Sequence, residues 1–152
     1  SSTLHYSVFP IGGLLKNIAI SFAISLDSED SEIRFSSRIS PELGEFTGDK
    51  VKLEEVVLNL LRNAKDAVKD DGVITLSADK ENSQIVIRCT DNGCGIADDE
   101  TDRIFDPFFS HKEGGTGLGL SLSRRIVEAH RGTISVSSSH ESGTVFTVTL
   151  PV

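Results

Sequence analysis

The sequence predicts an α+β fold, a two-layer α/β sandwich in which a five-stranded mixed sheet carries three main helices on one face and a long loop at one end. Apolar residues recur at three-to-four spacing in three segments, the mark of amphipathic helices, and alternate with polar residues in others, the mark of strands. Their order is helix, strand, helix, two strands, loop, helix, two strands, with no internal repeat and no interdomain linker, so the 152 residues read as one domain.

The first helix starts after Pro10 and runs from Ile11 to Ala23 on Ile11, Leu14, Leu15, Ile18 and Phe22, with Gly12 and Gly13 weakening its first turn. An acidic connector leads to a strand over Glu32 to Ile39, where Ile33, Phe35 and Ser37 alternate with Glu32, Arg34 and Ser36 until Pro41 ends it. Asp49 is placed to cap the second helix, whose stripe of Leu53, Val57, Leu60, Leu61, Ala64 and Val68 continues as far as Asp70-Asp71-Gly72. Val73 to Ala78 and Gln84 to Thr90 read as an antiparallel hairpin around the turn Asp79 to Ser83. Residues 96 to 115 hold no sustained period beyond a short helix before Phe105 and read as a functional loop. From Gly117 onward Leu118, Leu122, Ile126 and Ala129 mark a helix that stops at Arg131-Gly132, a cationic last residue followed by a glycine cap. Thr133 to Ser137 and Thr144 to Leu150 supply the last strands around the turn Ser138 to Gly143.

Lysine and arginine total 15 against 23 acids, a net charge of −8. That balance excludes nucleic-acid binding through a broadly basic surface, and any polyanion the chain holds must be met by local compensation. Cys89 and Cys94 have no histidine at metal-ligand spacing, and a structural zinc needs four ligands, so they read as two reduced thiols. Apolar stretches such as Ile18 to Leu26 are broken by serines and read as too short to span a bilayer, and no signal peptide is visible. The expected setting is soluble and intracellular.

Three motifs carry candidate chemistry. Asn59, Asn63 and Asp66 lie at offsets of four and three, so they share one face of the second helix. Such a row of carbonyl oxygens and a carboxylate suits a hydrated magnesium ion, which prefers oxygen and keeps waters and substrate phosphates in its shell; it equally suits an ordinary solvated face. Asp91, at the end of a strand and followed by Asn92-Gly93-Cys94-Gly95-Ile96, can accept from the exocyclic amine of adenine while Gly93 and Gly95 let backbone approach a flat ring. Asp-Asn-Gly also suits a plain hairpin turn. Gly115, Gly117 and Gly119 run straight into a helix, so unpaired amides and the helix dipole can face a phosphate chain, a flexible hinge being the alternative. No Gly-Lys-Ser/Thr follows, and the strand that a dinucleotide fingerprint requires is replaced by the loop from Phe105 to Lys112.

Taken together, in order and over nearly the whole chain, these segments resemble the ATP-binding catalytic domain of bacterial sensor histidine kinases, a fold shared with gyrase, the mismatch-repair ATPases and the heat-shock chaperones. Residues 53–64, with Asn59 and Asn63, look like the N box; Asp91 to Ile96 like the G1 box; Ile104-Phe105-Asp106-Pro107-Phe108-Phe109 like the F box; and Gly115 to Leu120 like the G2 box. The resemblance implies ATP and Mg2+ as cofactors. It implies that Asn63 and Asn59 bind the metal with Asp66 beside them, that Asp91 selects adenine assisted by Thr144, and that Gly93, Gly95 and Ile96 shape the base pocket. It further implies that Gly115, Thr116, Gly117, Leu118, Gly119 and Leu120 face the phosphates. Phe105 to Gly114 becomes an ATP lid on which Lys112 approaches the γ-phosphate, although Ser110 and His111 stand where many relatives have threonines. In gyrase and the chaperones a glutamate occupies the place of Asn59; an amide cannot take a proton from water, so hydrolysis should be slow and transfer favoured.

The acceptor is expected elsewhere. His5, His111, His130 and His140 are followed by Tyr6, Lys112, Arg131 and Glu141, and only His140-Glu141 superficially matches a histidine-acid motif, in a strand turn rather than on a helix. All four read as structural or surface histidines, and residues 1–8 as the tail of a segment carrying the acceptor. The implied function is donation of the γ-phosphoryl group of ATP to a histidine on a dimerisation domain and onward to a response regulator, in a homodimeric, cytoplasmic or membrane-anchored parent protein. Asn59, Asn63 and Lys112 would be the catalytic set. A serine kinase of the same fold, of the anti-sigma-factor type, and a nucleotide-gated interaction module without transfer are the alternatives.

Overall fold

The computed structural model describes residues 3–109, 119–139 and 141–152. Strand β1 (Ser7–Pro10) leads into helix α1 (Ile11–Ser28), followed by β2 (Arg34–Ile39), β3 (Glu45–Gly48), α2 (Lys50–Ala67), β4 (Val73–Glu81), β5 (Gln84–Asp91), the single-turn α3 (Asp98–Thr101), α4 (Gly119–Ala129), β6 (Thr133–Ser139) and β7 (Gly143–Pro151). Five strands form the expected mixed sheet in the order β2-β4-β5-β7-β6, parallel only between β2 and β4. β1 and β3 form an additional antiparallel ribbon that the sequence did not announce, because four residues apiece are too few to display an alternation.

Alternation decides which face of the sheet is wet. Leu76, Cys89, Phe146 and Val136 are neighbours on one row, and Ala78, Ile87, Val148 and Ile134 on the next, all turned toward the helices. Helix α2 lays Leu53, Val56, Val57, Leu60, Leu61 and Ala64 on this surface. Leu60 and Leu61 are wholly buried, each contributing about 1.5–3 kcal/mol. The stripe adds Val56 to the expected one and loses Val68, which has left the helix as its C-terminal cap. Helix α1 buries Ile11, Leu14, Leu15, Ile18, Phe22 and Leu26. It runs five residues past the expected end, and over its full 18 residues, with mean hydropathy 1.2, it is long and apolar enough to cross a membrane by length and composition. Its apolar stripe is already used by the core.

Two expectations about α4 are corrected. Leu122 and Ala129 are exposed, and the buried face is Ser121, Ser123, Ile126 and Val127. The helix is turned because a hydrogen bond from Asn59 draws Ser123 inward. At its end the left-handed residue is Arg131, with φ 61, rather than Gly132. Gly132 is demanded by β7 instead, since a Cβ there would stand 2.4 Å from the Thr149 carbonyl oxygen. The β4–β5 turn is also tighter than expected: Glu81 pairs with Gln84, and Asn82 and Ser83 alone turn the chain with φ 51 and 64.

His130 ties the ribbon to the sandwich. Its Nδ1 lies 2.8 Å from the Ile126 carbonyl and its Nε2 accepts the Asp49 N–H at 2.9 Å. A carbonyl only accepts and an amide N–H only donates, so the ring is the neutral Nδ1–H tautomer. Asp49 caps α2 through Lys52 N–H at 3.1 Å and accepts His5 N–H at 2.8 Å. The His5 N–H, more than any other contact, holds the Asp49 carboxyl below its usual range. Tyr6 stacks on the imidazole at 5.6 Å and donates to the Ala129 carbonyl.

His130→Phe keeps a ring but strands the buried Asp49 N–H, so it should lower stability by about 1–3 kcal/mol. Urea unfolding checks this, and a midpoint equal to that of the parent chain would mean the two bonds contribute nothing.

Candidate functional site

Beyond the apolar rows the inward face ends on a polar one. Asp91 pairs with Thr144, and Thr144 with Ser138, at the positions that alternation would give to apolar side chains. This row floors a cavity of about 410 Å3, within the range of small-ligand sites. Helix α2 walls it with Asn63, Asp66 and Ala67, the segment after β5 with Cys94, Gly95 and Ile96, and Ile104, Phe109, Leu120 and Phe146 complete an apolar lining. A flat apolar ring fits between such walls, with polar groups at its edge. None of the described lining residues is a lysine or arginine, and two are carboxylates.

Asp91 is 4% exposed and accepts the Gly93 N–H at 2.8 Å. Burial pushes its carboxyl above the usual aspartate value, against the pull of that bond. Cys89, one row away, is pushed up to about 12 by burial first and by Asp91 second, and is inert as a thiol. Cys94 is exposed.

The expected site residues separate into groups. Asn63, Asp66, Asp91, Gly95, Ile96, Leu120 and Thr144 meet around the cavity. Gly95 takes φ 74, which its lack of a side chain permits. Gly93 is placed by packing rather than by the cavity: a Cβ would lie 2.3 Å from the Ala67 carbonyl oxygen, against which the chain turns to let Cys94 N–H donate to that oxygen. Asn59 does not line the cavity. Its Nδ2 donates to the Gly119 carbonyl at 2.8 Å and to Ser123 Oγ at 3.2 Å, tying α2 to the start of α4, and a Cβ on Gly119 would crowd it. Phe105 stands edge-to-face on Phe146 at 6.2 Å with Arg124 over its ring. Lys112, Gly115, Thr116, Gly117 and Leu118 lie outside the described residues, as do Ser110, His111 and His140.

Sequence reading missed Ser138, Ile104, Phe109 and Phe146 as parts of the site. Ser138 was assigned to a turn, yet Ile134, Val136 and Ser138 continue one alternation, and extending the strand by that period would have found it. Ile104 and Phe109 bound the F-box-like segment in the sequence, but that they line the cavity depends on how the loop folds back.

Residues 48–152 match the sequence profile of the histidine kinase-, DNA gyrase B- and HSP90-like ATPases. The sensor histidine kinase ZraS of Escherichia coli K12 is 42% identical over 129 residues, 85% of this chain and 28% of that protein. The catalytic domain of the histidine kinase ThkA superposes with a TM-score of 0.85 at 28% identity, over 97% of this chain and 95% of that one. Full-length ShkA in complex with AMPPNP gives 0.86 at 26% identity, over 99% of this chain and 32% of ShkA. The chain thus spans little more than a quarter of the ZraS length.

The raised Asp91 carboxyl carries a stability consequence. Its preference for the proton favours the fold at acid pH, and that contribution is lost as pH rises from the unfolded value of 3.8 through the folded one. Asp91→Asn keeps an oxygen for Gly93 N–H and removes the buried charge. Without ligand it should therefore unfold at a higher temperature than the parent chain at pH 7, the gap closing toward pH 4; a constant gap in thermal melts would refute the assignment.

Proposed function

The chain belongs to the histidine kinase-, DNA gyrase B- and HSP90-like ATPase family, and from that membership we propose that it is the Mg-ATP-binding part of a protein histidine kinase, donating the γ-phosphoryl group to a histidine outside these residues. The observation that carries the reading is the buried Asp91 beside Thr144 at the edge of an apolar slot whose facing helix offers Asn63 and Asp66. The slot takes the adenine ring, and the Asp91 carboxylate accepts its amino group.

The phosphates need positive charge that the described lining lacks. The oxygen donors Asn63 and Asp66 suit a divalent hard cation, and Mg2+ bound there would neutralise phosphate oxygens and hold them in line. Lys112 and the amides of 117–120 are the protein's own groups for the same charge. Catalysis by this chain is positioning and charge neutralisation. Asn59, with its amide committed to α4, supplies no base for water, which favours transfer over hydrolysis. The acceptor histidine, a homodimeric parent that is cytoplasmic or membrane-anchored, and a response regulator downstream complete the proposal.

Calorimetry of the chain with ATP, with and without Mg2+, should show binding that depends on the metal. Asn63→Ala should cost the Mg2+-dependent part, about tenfold or more in Kd, while retained metal dependence would move the ligand elsewhere. Mixed with the histidine-bearing segment expected upstream and with labelled ATP, the chain should yield acid-labile phosphohistidine. Acid-stable phosphoserine, or no transfer to any acceptor supplied, would replace the reading by a serine kinase or a binding module.

A further inference from the structure

Ser138 ends the polar row on β6, beside Thr144, and its hydroxyl has three neighbours. Ile96 N–H is 2.7 Å from Oγ, the Gly143 carbonyl oxygen 3.0 Å, and Thr144 Oγ1 2.8 Å. A serine hydroxyl has one proton and two lone pairs. The amide can only donate and the carbonyl can only accept, so the single Ser138 proton goes to Gly143. The contact with Thr144 is then satisfied in one way: Thr144 donates to Ser138.

The consequence lies on the cavity side. With its proton committed, Thr144 Oγ1 turns only lone pairs toward the ligand, beside the Asp91 carboxylate, which is also an acceptor when ionised. The polar edge of the pocket is therefore built of acceptors. A ring amino group is welcome there, directly or through a bridging water, and a ring carbonyl is opposed. Ser138 also pins the backbone of Ile96, which forms the adjoining wall.

We propose that Ser138 is a specificity-determining positioning residue that, by taking the Thr144 proton, makes the pocket discriminate amino purines from 6-oxo purines. The proposal rests on the nucleotide-binding reading. It adds to that reading a residue that no contact with the ligand would reveal, acting through Thr144.

The test is calorimetric affinity of the chain for Mg-ATP and for Mg-ITP, which carries a ring carbonyl in place of the adenine amino group. Ser138→Ala frees the Thr144 proton to meet that carbonyl, and should shrink the ATP-to-ITP preference about tenfold, chiefly by tightening ITP. Ser138→Thr retains a hydroxyl and should restore the preference. Thr144→Val should shrink it as well, and adding Ser138→Ala to Thr144→Val should change it no further, because the two act in series. Should Ser138→Ala fail to fold, Thr144→Val and Ser138→Thr carry the test. Equal weakening of both nucleotides by Ser138→Ala, or an unchanged ratio in Thr144→Val, overturns the proposal and leaves nucleotide binding standing. Failure of the parent chain to bind ATP overturns both.

Discussion

Asp91, Thr144 and Ser138 face the helices because the pairing of β5 with β7, and of β7 with β6, puts them on one row of the sheet. The side-chain period of a strand is two, so a slip of one residue in either pairing would turn part of that row to the outer face and bring its neighbours inward. The apolar rows below resist such a slip, since it would turn apolar side chains such as Cys89, Phe146 or Val136 out of the core. Core packing thereby sets the position of a polar group that itself does nothing for the core. Gly143 begins β7 with φ 90, at a point where a Cβ would come within 2.0 Å of the Asp91 carbonyl oxygen, so the row also needs a glycine at its edge.

Helix α2 serves both layers. Its apolar stripe anchors it to the sheet, and the adjacent face holds Asn59, Asn63 and Asp66 at the fixed spacing of the helical repeat. The three do different things. Asn63 and Asp66 line the cavity, and Asn59 Nδ2 ties α2 to Gly119 and Ser123 of α4. The end of the helix matters as much as its face: the Ala67 carbonyl receives Cys94 N–H, and the chain after β5 comes close enough only because Gly93 has no side chain.

The site is held against the interests of the fold. Burying Asp91 costs stability at neutral pH, and a carboxylate at the end of an otherwise apolar ladder is a poor choice for packing alone. Its placement is explicable if a ligand adds a donor to the one that Gly93 N–H supplies. The knot at His130 is the structural counterpart: both ring nitrogens are spent on backbone, and Tyr6 and His5 draw the start of the chain onto the same corner.

Much of this was readable in the chain. Periodicity located α1, α2 and the five sheet strands, Asp49 announced the start of α2, and Asn63, Asp66, Asp91 and Gly95, singled out by their motifs, meet at one cavity, because helical and strand repeats are local properties. The β1–β3 ribbon was not readable, since short strands show no period, and neither was the turned face of α4, since Leu122 lost its place to Ser123 through a hydrogen bond from another helix. By itself, then, the sequence determined where the longer helices and the sheet strands lie and which side chains are candidates for the chemistry. Tertiary structure alone decided that Asn59 serves a helix, that Gly93 serves a close approach and that Ser138 serves Thr144, because donor, acceptor and clearance exist only between atoms that folding brings together.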